Sequence, residues 1–168
     1  MPKFSIAVTS RQRGLRIDRR RLIRLARSVL LLEQVAAAEI SVAIIDDPQI
    51  HAINRQFLNH DYPTDVISFL LDCSLVDWPG ELPNSVRRGA AKVIEGEIVI
   101  SAETAVRNAA KYGVTPQNEL SLYLVHGLLH LCGYDDQTPK EKRLMRRREA
   151  EALGEVDIVM PRRASKGK

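Results

Sequence analysis

The stretch that most constrains this chain is residues 119 to 131. Its apolar members, Leu120, Leu122, Leu124, Val125, Leu128, Leu129 and Leu131, cover every face of a helix rather than one. A surface helix hides a single stripe and leaves the rest in water. A helix like this one must be covered nearly all round, so the rest of the chain has to be built about it. Gly133 is its natural stop, because glycine takes the left-handed conformation that ends a helix and reverses the chain.

The covering elements can be read from periodicity. Residues 4 to 9 alternate apolar and polar and predict a strand. Residues 18 to 33 follow with helical spacing, and Asp18 is placed to cap them. A second strand is expected over 39 to 45, ended by Asp46-Asp47-Pro48, and a short helix runs from Pro48 to about Phe57. Residues 59 to 64 read as loop, 65 to 71 as a third strand and 96 to 101 as a fourth. Helices then dominate, over 102 to 112, 116 to 132 and 138 to 153, with Gly113 and Gly133 as stops and Thr138-Pro139 as a start. Strands come early and helices late. The expected fold is α+β: a small mixed sheet of about four strands with helices packed on it.

Residues 72 to 95 hold Pro79, Gly80, Pro83 and Gly89 without any period and predict one long loop. A length of 168 residues fits one domain, expected over 1 to 155, with a basic, disordered tail over 156 to 168. No run of about 18 uncharged apolar residues is present, so no membrane span is indicated. The N-terminus lacks a signal-like apolar core, and the two cysteines, Cys73 and Cys132, suit a reducing compartment. A cytoplasmic protein is expected. Two thiols also exclude a cysteine-rich zinc site.

Two imidazoles interrupt the buried helix. His126 and His130 are four residues apart and project from one face. Buried histidines are costly unless their nitrogens have partners, and a metal ion provides one for each ring. The alternative is two core histidines bonded to backbone carbonyls. After the Gly133 turn, Asp135 or Asp136 can swing back beside the rings as a third ligand, and position alone does not choose between them. Three protein ligands leave a zinc ion one free position, which is what a catalytic site needs. Zinc suits two imidazoles and a carboxylate best, and other first-row divalent ions also fit.

The H-x-x-x-H spacing invites comparison with zinc peptidases, which carry a glutamate general base directly after the first histidine. That position is Gly127 here, which takes no proton, so a peptidase loses its base. An open metal site can instead lower the pKa of bound water or polarise a phosphoryl oxygen. The charge pattern points the same way. Residues 11 to 27 carry eight arginines, among them Arg19, Arg20 and Arg21, against the single acid Asp18. A second basic stretch runs from Lys140 to Arg148 and is diluted by Glu149, Glu151 and Glu155. Such clusters are either solvated faces or a footprint for a polyanion, most simply nucleic acid. With a polyanionic substrate, phosphodiester hydrolysis is the natural reaction.

The motif His126-Gly127-Leu128-Leu129-His130-Leu131-Cys132-Gly133-Tyr134-Asp135-Asp136 resembles H-G-x-L-H-L-x-G-Y-D-H of the YbeY family of bacterial metal-dependent endoribonucleases. Two further blocks agree and stand in family order. Residues 63 to 69, P-T-D-V-I-S-F, are similar to the family's P-T-D-V-L-S-F, and residues 96 to 101, G-E-I-V-I-S, to its G-D-I-V-I-S. The resemblance implies a single-strand-specific endoribonuclease acting in small-subunit ribosomal RNA maturation and ribosome quality control. It implies RNA and the small ribosomal subunit as partners, and one zinc ion per subunit at His126, His130 and Asp136. Two alternatives stand beside it: a non-catalytic ribosome-assembly factor with a structural zinc, and, less favoured, a metallopeptidase.

Two positions depart from the family. Asp136 stands where its third histidine usually stands, which replaces a neutral ligand by an anionic one. Leu58 stands where the family carries an arginine before the P-T-D block. If that arginine balances phosphate charge in relatives, Arg55 and His60 are the substitutes on offer here as catalytic residues; plain surface residues are the other reading. Cys132 lies on the far side of the helix from His130 and is expected in the core rather than as a ligand.

Overall fold

The computed structural model describes residues 1–77 and 87–163. Its elements are β1 (Lys3–Ser10), α1 (Arg19–Leu32), β2 (Ala37–Ile45), α2 (Asp47–Leu58), β3 (Val66–Leu75), β4 (Lys92–Ser101), α3 (Ala102–Tyr112), α4 (Pro116–Cys132) and α5 (Pro139–Gly154). The sheet has the order β1-β2-β4-β3. β1, β2 and β4 are parallel, and β3 is antiparallel to β4 at one edge. This is the α+β fold with a four-stranded mixed sheet that the order of elements predicts.

Period-two alternation decides which side of the sheet each residue serves. Ile40, Val42 and Ile44 of β2, with Ile94, Ile98 and Ile100 of β4, face the main core together with α1 and α4. The opposite face is thinner: Ile45, Ile67 and Val99 meet Ile50 of α2 there. α4 is the central helix of the main core. Leu124, Leu128 and Leu129 are fully buried, each contributing about 1.5–3 kcal/mol by its removal from water.

Two glycines let α4 approach β4 closely. A Cβ on Gly96 would stand 2.7 Å from a Leu131 methyl, and one on Gly127 would stand 3.0 Å from Ile98. Position 127 therefore faces the sheet. A glutamate there would meet Ile98, so the peptidase base is excluded by packing as well as by residue type.

The caps at Asp18, Thr138, Gly113 and Gly133 fall where the sequence places them, and Thr115 adds one at the start of α4. Asp18, Thr115 and Thr138 accept from the first-turn backbone of α1, α4 and α5, and Gly113 and Gly133 close α3 and α4 with φ of 69° and 112°. The strands next to the expected long loop are longer than their periodicity suggests. β3 runs on to Leu75 and β4 begins at Lys92. Residues 70 to 75 form an exposed edge, and the pairing shifts between Leu70 and Asp72, so apolar alternation is lost while the hydrogen-bond ladder continues. The middle of that expected loop, 78–86, lies outside the described residues.

The chain beyond α5 is also more ordered than its basic composition suggests. Ile158 is buried, and the guanidinium of Arg163 forms a two-pronged pair with the fully buried Glu119 of α4 and lies 4.0 Å over the Tyr112 ring. A buried carboxylate needs such a partner, and this one fastens residues 156–163 to the body. Residues 164–168 lie outside the described residues.

Candidate metal centre

From Glu119 to Cys132, every residue of α4 is buried except Leu122, His126 and His130. These three are spaced by four, so they form one stripe, and it is the open face of an otherwise enclosed helix. The two imidazoles therefore sit where a rigid core meets solvent.

The turn after α4 is built to bring a carboxylate back to them. The Gly133 and Tyr134 amides donate to the carbonyls of His130 and Leu129, closing the helix. Lys92 Nζ donates to the Cys132 carbonyl at 2.7 Å, and Arg88 donates to the Gly133 carbonyl at 3.1 Å, so two cations cap the negative end of the helix. The Tyr134 hydroxyl donates at 2.7 Å to the buried Glu33, the residue that caps the C-terminal end of α1. The chain after this anchored turn places Asp136 over the stripe.

The result is a three-donor cluster. The Nε2 atoms of His126 and His130 are 3.0 Å apart. Asp136 Oδ2 lies 3.4 Å from the first and 3.7 Å from the second. Tetrahedral zinc with bonds of 2.0–2.1 Å separates its ligands by about 3.3 Å, so the donor set and its spacing fit such an ion. Among the described residues this is the one group of three or more His, Cys, Asp or Glu residues whose ligand atoms gather within 4.8 Å. Asp135 is not part of it. That residue is exposed, and its carboxylate accepts from the Asp136 backbone amide at 2.8 Å, holding the next residue in place.

The outer nitrogens of both rings are fixed. His126 Nδ1 donates to Glu149 of α5 at 2.6 Å, and His130 Nδ1 to the Tyr134 carbonyl at 3.0 Å. Each bond sets the tautomer that leaves Nε2 as a free donor of electrons toward the centre, which is how metal-binding imidazoles are usually oriented. The electrostatics agree. Burial alone would lower the His126 pKa, but the carboxylates of Asp136 and Glu149 outweigh it and raise the value to about 10. The hydrogen bond from His126 holds the Asp136 carboxyl below its usual range, against the opposing effect of burial. The two carboxylates thus favour positive charge at this place, and a metal ion that binds there must displace the proton.

Glu149 is the participant that sequence reasoning counted only as a diluting acid. Its signal is positional: Met145, Glu149 and Ala152 are spaced by four and three on α5, and Met145 and Ala152 are buried. An acid in that series asks for a buried partner, which His126 supplies. Cys132 is buried, its thiol pushed up in pKa by burial, and it belongs to the core.

The contacts of the other candidates do not involve the three ligands. His60 and Arg55 stand at the C-terminal end of α2, among His51, Asp61 and Tyr62. The His60 ring stacks on Tyr62, and Arg55 is 4.0 Å from Asp61, which also binds His51 at 2.8 Å. None of these contacts reaches the three-donor cluster. Leu58 is exposed beside them. Arg19 and Arg20 are exposed on the first turn of α1, whereas Arg21 donates to Asn118 Oδ1 at 2.8 Å.

Fold and cluster together define an α+β protein whose central helix and the turn after it present a His/His/Asp set able to hold one metal ion with a position left open. Comparison with known proteins narrows that class. The family described as Endoribonuclease YbeY matches residues 7–157, and the chain belongs to it. A protein named Endoribonuclease YbeY from Rhodopirellula baltica is 42% identical over 146 residues, covering 81% of this chain and 67% of that protein. One of the same name from Pelotomaculum thermopropionicum is 41% identical over 139 residues, covering 82% and 86%. A third, from Bacillus licheniformis, is 38% identical over 142 residues, covering 80% and 87%. The solution structure of TM1509 from Thermotoga maritima shares the fold, with a TM-score of 0.52, 22% identity and coverage of 90% and 91% of the two chains.

Proposed function

We propose that this chain is a zinc-dependent endoribonuclease that cuts single-stranded RNA, acting in the cytoplasm on small-subunit ribosomal RNA during its maturation and in ribosome quality control. The observation that carries the reading is the convergence of His126, His130 and Asp136 with both outer ring nitrogens already held, in a chain of the YbeY family. Two imidazoles and one carboxylate favour zinc among the divalent ions. A divalent ion so held supplies Lewis acidity, lowering the pKa of water bound to it and stabilising charge on a phosphoryl oxygen.

The chain's own residues do the rest. Glu149 and the Tyr134 carbonyl keep the rings aimed, and Glu149 offsets positive charge that builds up on His126. Asp136 brings a negative charge to the centre, which makes it less electrophilic than a neutral third ligand would. The side chains of His126, His130 and Asp136 are one-quarter to one-third exposed, so a phosphodiester can reach them. Arg19 and Arg20 are proposed to contact phosphates, with Arg21 tied to Asn118. Arg55 and His60 are proposed at most as additional strand contacts, because their neighbours are Asp61 and Tyr62 rather than the ligands.

The test is cleavage of single-stranded RNA by the wild type and by His130→Ala. Cleavage lost in a variant that still folds and binds RNA supports the enzyme. Equal ribosome-assembly function in both proteins, without cleavage by either, would favour an assembly factor, the reading to which Leu58 lends weight. The product termini then identify the nucleophile: a 2′,3′-cyclic phosphate means the RNA's own 2′-hydroxyl attacks.

A further inference from the structure

The open stripe on α4 does not stop at the histidines. Leu122, one turn before His126, floors a cavity of about 540 Å³ between α5 and the segment running from Ile158 to Arg163. Glu149 lines this cavity while holding the His126 ring at 2.6 Å, so a single carboxylate borders both spaces. The cavity is the immediate continuation of the metal centre along the helix.

Its chemistry is divided. Leu122, Leu153, Ile158 and Met160 give it an apolar floor. Arg143, Arg146 and Arg147 of α5 and Arg162 of the C-terminal segment give it a basic rim. These four arginines are exposed and have no ion-pair or hydrogen-bond partner among the described residues. Their neighbours differ: Arg148 binds Glu151 at 2.8 Å, and Arg163 binds Glu119. Arginines that answer a structural need are thus already separated here from arginines that answer none. Residues 143, 146 and 147 share one face of α5 at spacings of three and four, so their guanidinium groups form a compact array.

We propose that this groove holds the stretch of single-stranded RNA next to the scissile phosphodiester, with backbone phosphates on the arginine rim and a base or ribose on the apolar floor. This rests on the RNA-cleaving reading of the metal centre. Guanidinium suits phosphate because its planar donors pair with two oxygens at once. Among the described residues that line it the groove has no aromatic side chain on which a base would stack, so it follows the backbone and confers little sequence preference. The N-terminal arginines are the denser cluster in the sequence; the C-terminal ones line the cavity that Glu149 borders while holding His126.

The test measures binding of a fully 2′-O-methylated single-stranded RNA 12-mer, which has no free 2′-hydroxyl, by fluorescence anisotropy over a range of salt. The proteins are zinc-loaded wild type, Arg143→Glu/Arg147→Glu, the milder Arg143→Gln/Arg147→Gln, and Arg11→Glu/Arg13→Glu, which changes net charge equally outside the groove. Removing two phosphate contacts is expected to weaken binding about tenfold and to flatten the slope of log K against log salt by about 1.4, with the glutamine pair in between. The Arg11/Arg13 pair is expected to lose much less. Unchanged affinity and slope in the groove variants, an equal loss in the Arg11/Arg13 pair, or no RNA binding by the wild type would overturn the groove. Cleavage assays on unmodified RNA separate the two claims. A wild type that cleaves RNA with groove variants that bind normally leaves the nuclease and removes the groove; groove-dependent binding without any cleavage does the reverse.

Discussion

The molecule carries two clusters that each contain two histidines and an aspartate, and they differ in almost everything else. His126, His130 and Asp136 sit on the open stripe of a buried helix and on an anchored turn, with Nε2 atoms 3.0 Å apart. His51 on α2, with His60 and Asp61 just beyond its C-terminal end, forms the other, where Asp61 occupies His51 and Tyr62 occupies His60. In the first cluster the outer nitrogens are held by Glu149 and a backbone carbonyl, which leaves the inner ones pointing at a common centre. In the second, the side chains are taken up by one another and by the exposed Arg55 and Tyr62, and the ring nitrogens share no common centre. Residue types alone do not make a metal site; it takes neighbours that fix each ring and a scaffold too rigid to let them drift.

The largest effect expected from this contrast is on metal content. Asp136→Ala should lose most of its bound zinc, whereas Asp135→Ala and His51→Ala should keep it, as measured by metal analysis of the purified proteins. Equal content in the Asp136 and Asp135 variants would mean that the turn presents its ligand differently. A smaller loss is expected from the residue behind the ring. Glu149→Gln keeps the size of the side chain but removes its charge, and should lower zinc affinity by about 10–100-fold in a chelator competition. An unchanged affinity would show that packing alone aims His126.

Replacing the second cluster should do little. His60→Ala and Arg55→Ala are expected to leave the RNA cleavage rate within about threefold of wild type, since exposed, weakly paired groups contribute little. A hundredfold fall in either would make α2 part of the catalytic apparatus and erase the contrast. The smallest effect belongs to the other end of α2. Burial would raise the Asp47 pKa, but Arg107, Ser101 and Thr104 lower it below the ordinary 3.8. Its contribution to stability is therefore present above pH 3.8 and lost as pH falls through the lower, folded value. Asp47→Asn should flatten the acid side of the stability curve by less than about 1 kcal/mol in denaturant titrations from pH 5 to pH 2. A steeper acid decline in the variant would reverse the sign assigned to this pair.

How much of this was legible in the sequence depended on whether a signal was local. Asp18, Thr138, Gly113 and Gly133 mark helix ends because caps act within a few residues, and the structure places all four at those ends. The apolar surround of His126 and His130 announced a buried helix with two polar exceptions. The extension of β3 to Leu75 was hidden because an exposed, bulged edge strand is held by backbone bonds that leave no pattern in the side chains. Glu149 was hidden because its partner is 23 positions away, and a long-range hydrogen bond has no periodicity. The ordering of residues 156–163 was hidden for the same reason. Arg163 reads as one more charge in a basic tail until Glu119 is seen buried beneath it.

The proposed nuclease activity depends on one divalent ion held by His126, His130 and Asp136. The most direct measurement strips the protein with a chelator, removes the chelator and restores zinc stepwise while following cleavage of a single-stranded RNA. Cleavage is expected to be absent without metal and to rise in proportion to added zinc, levelling at one equivalent per chain. Undiminished cleavage by the stripped protein would contradict that dependence.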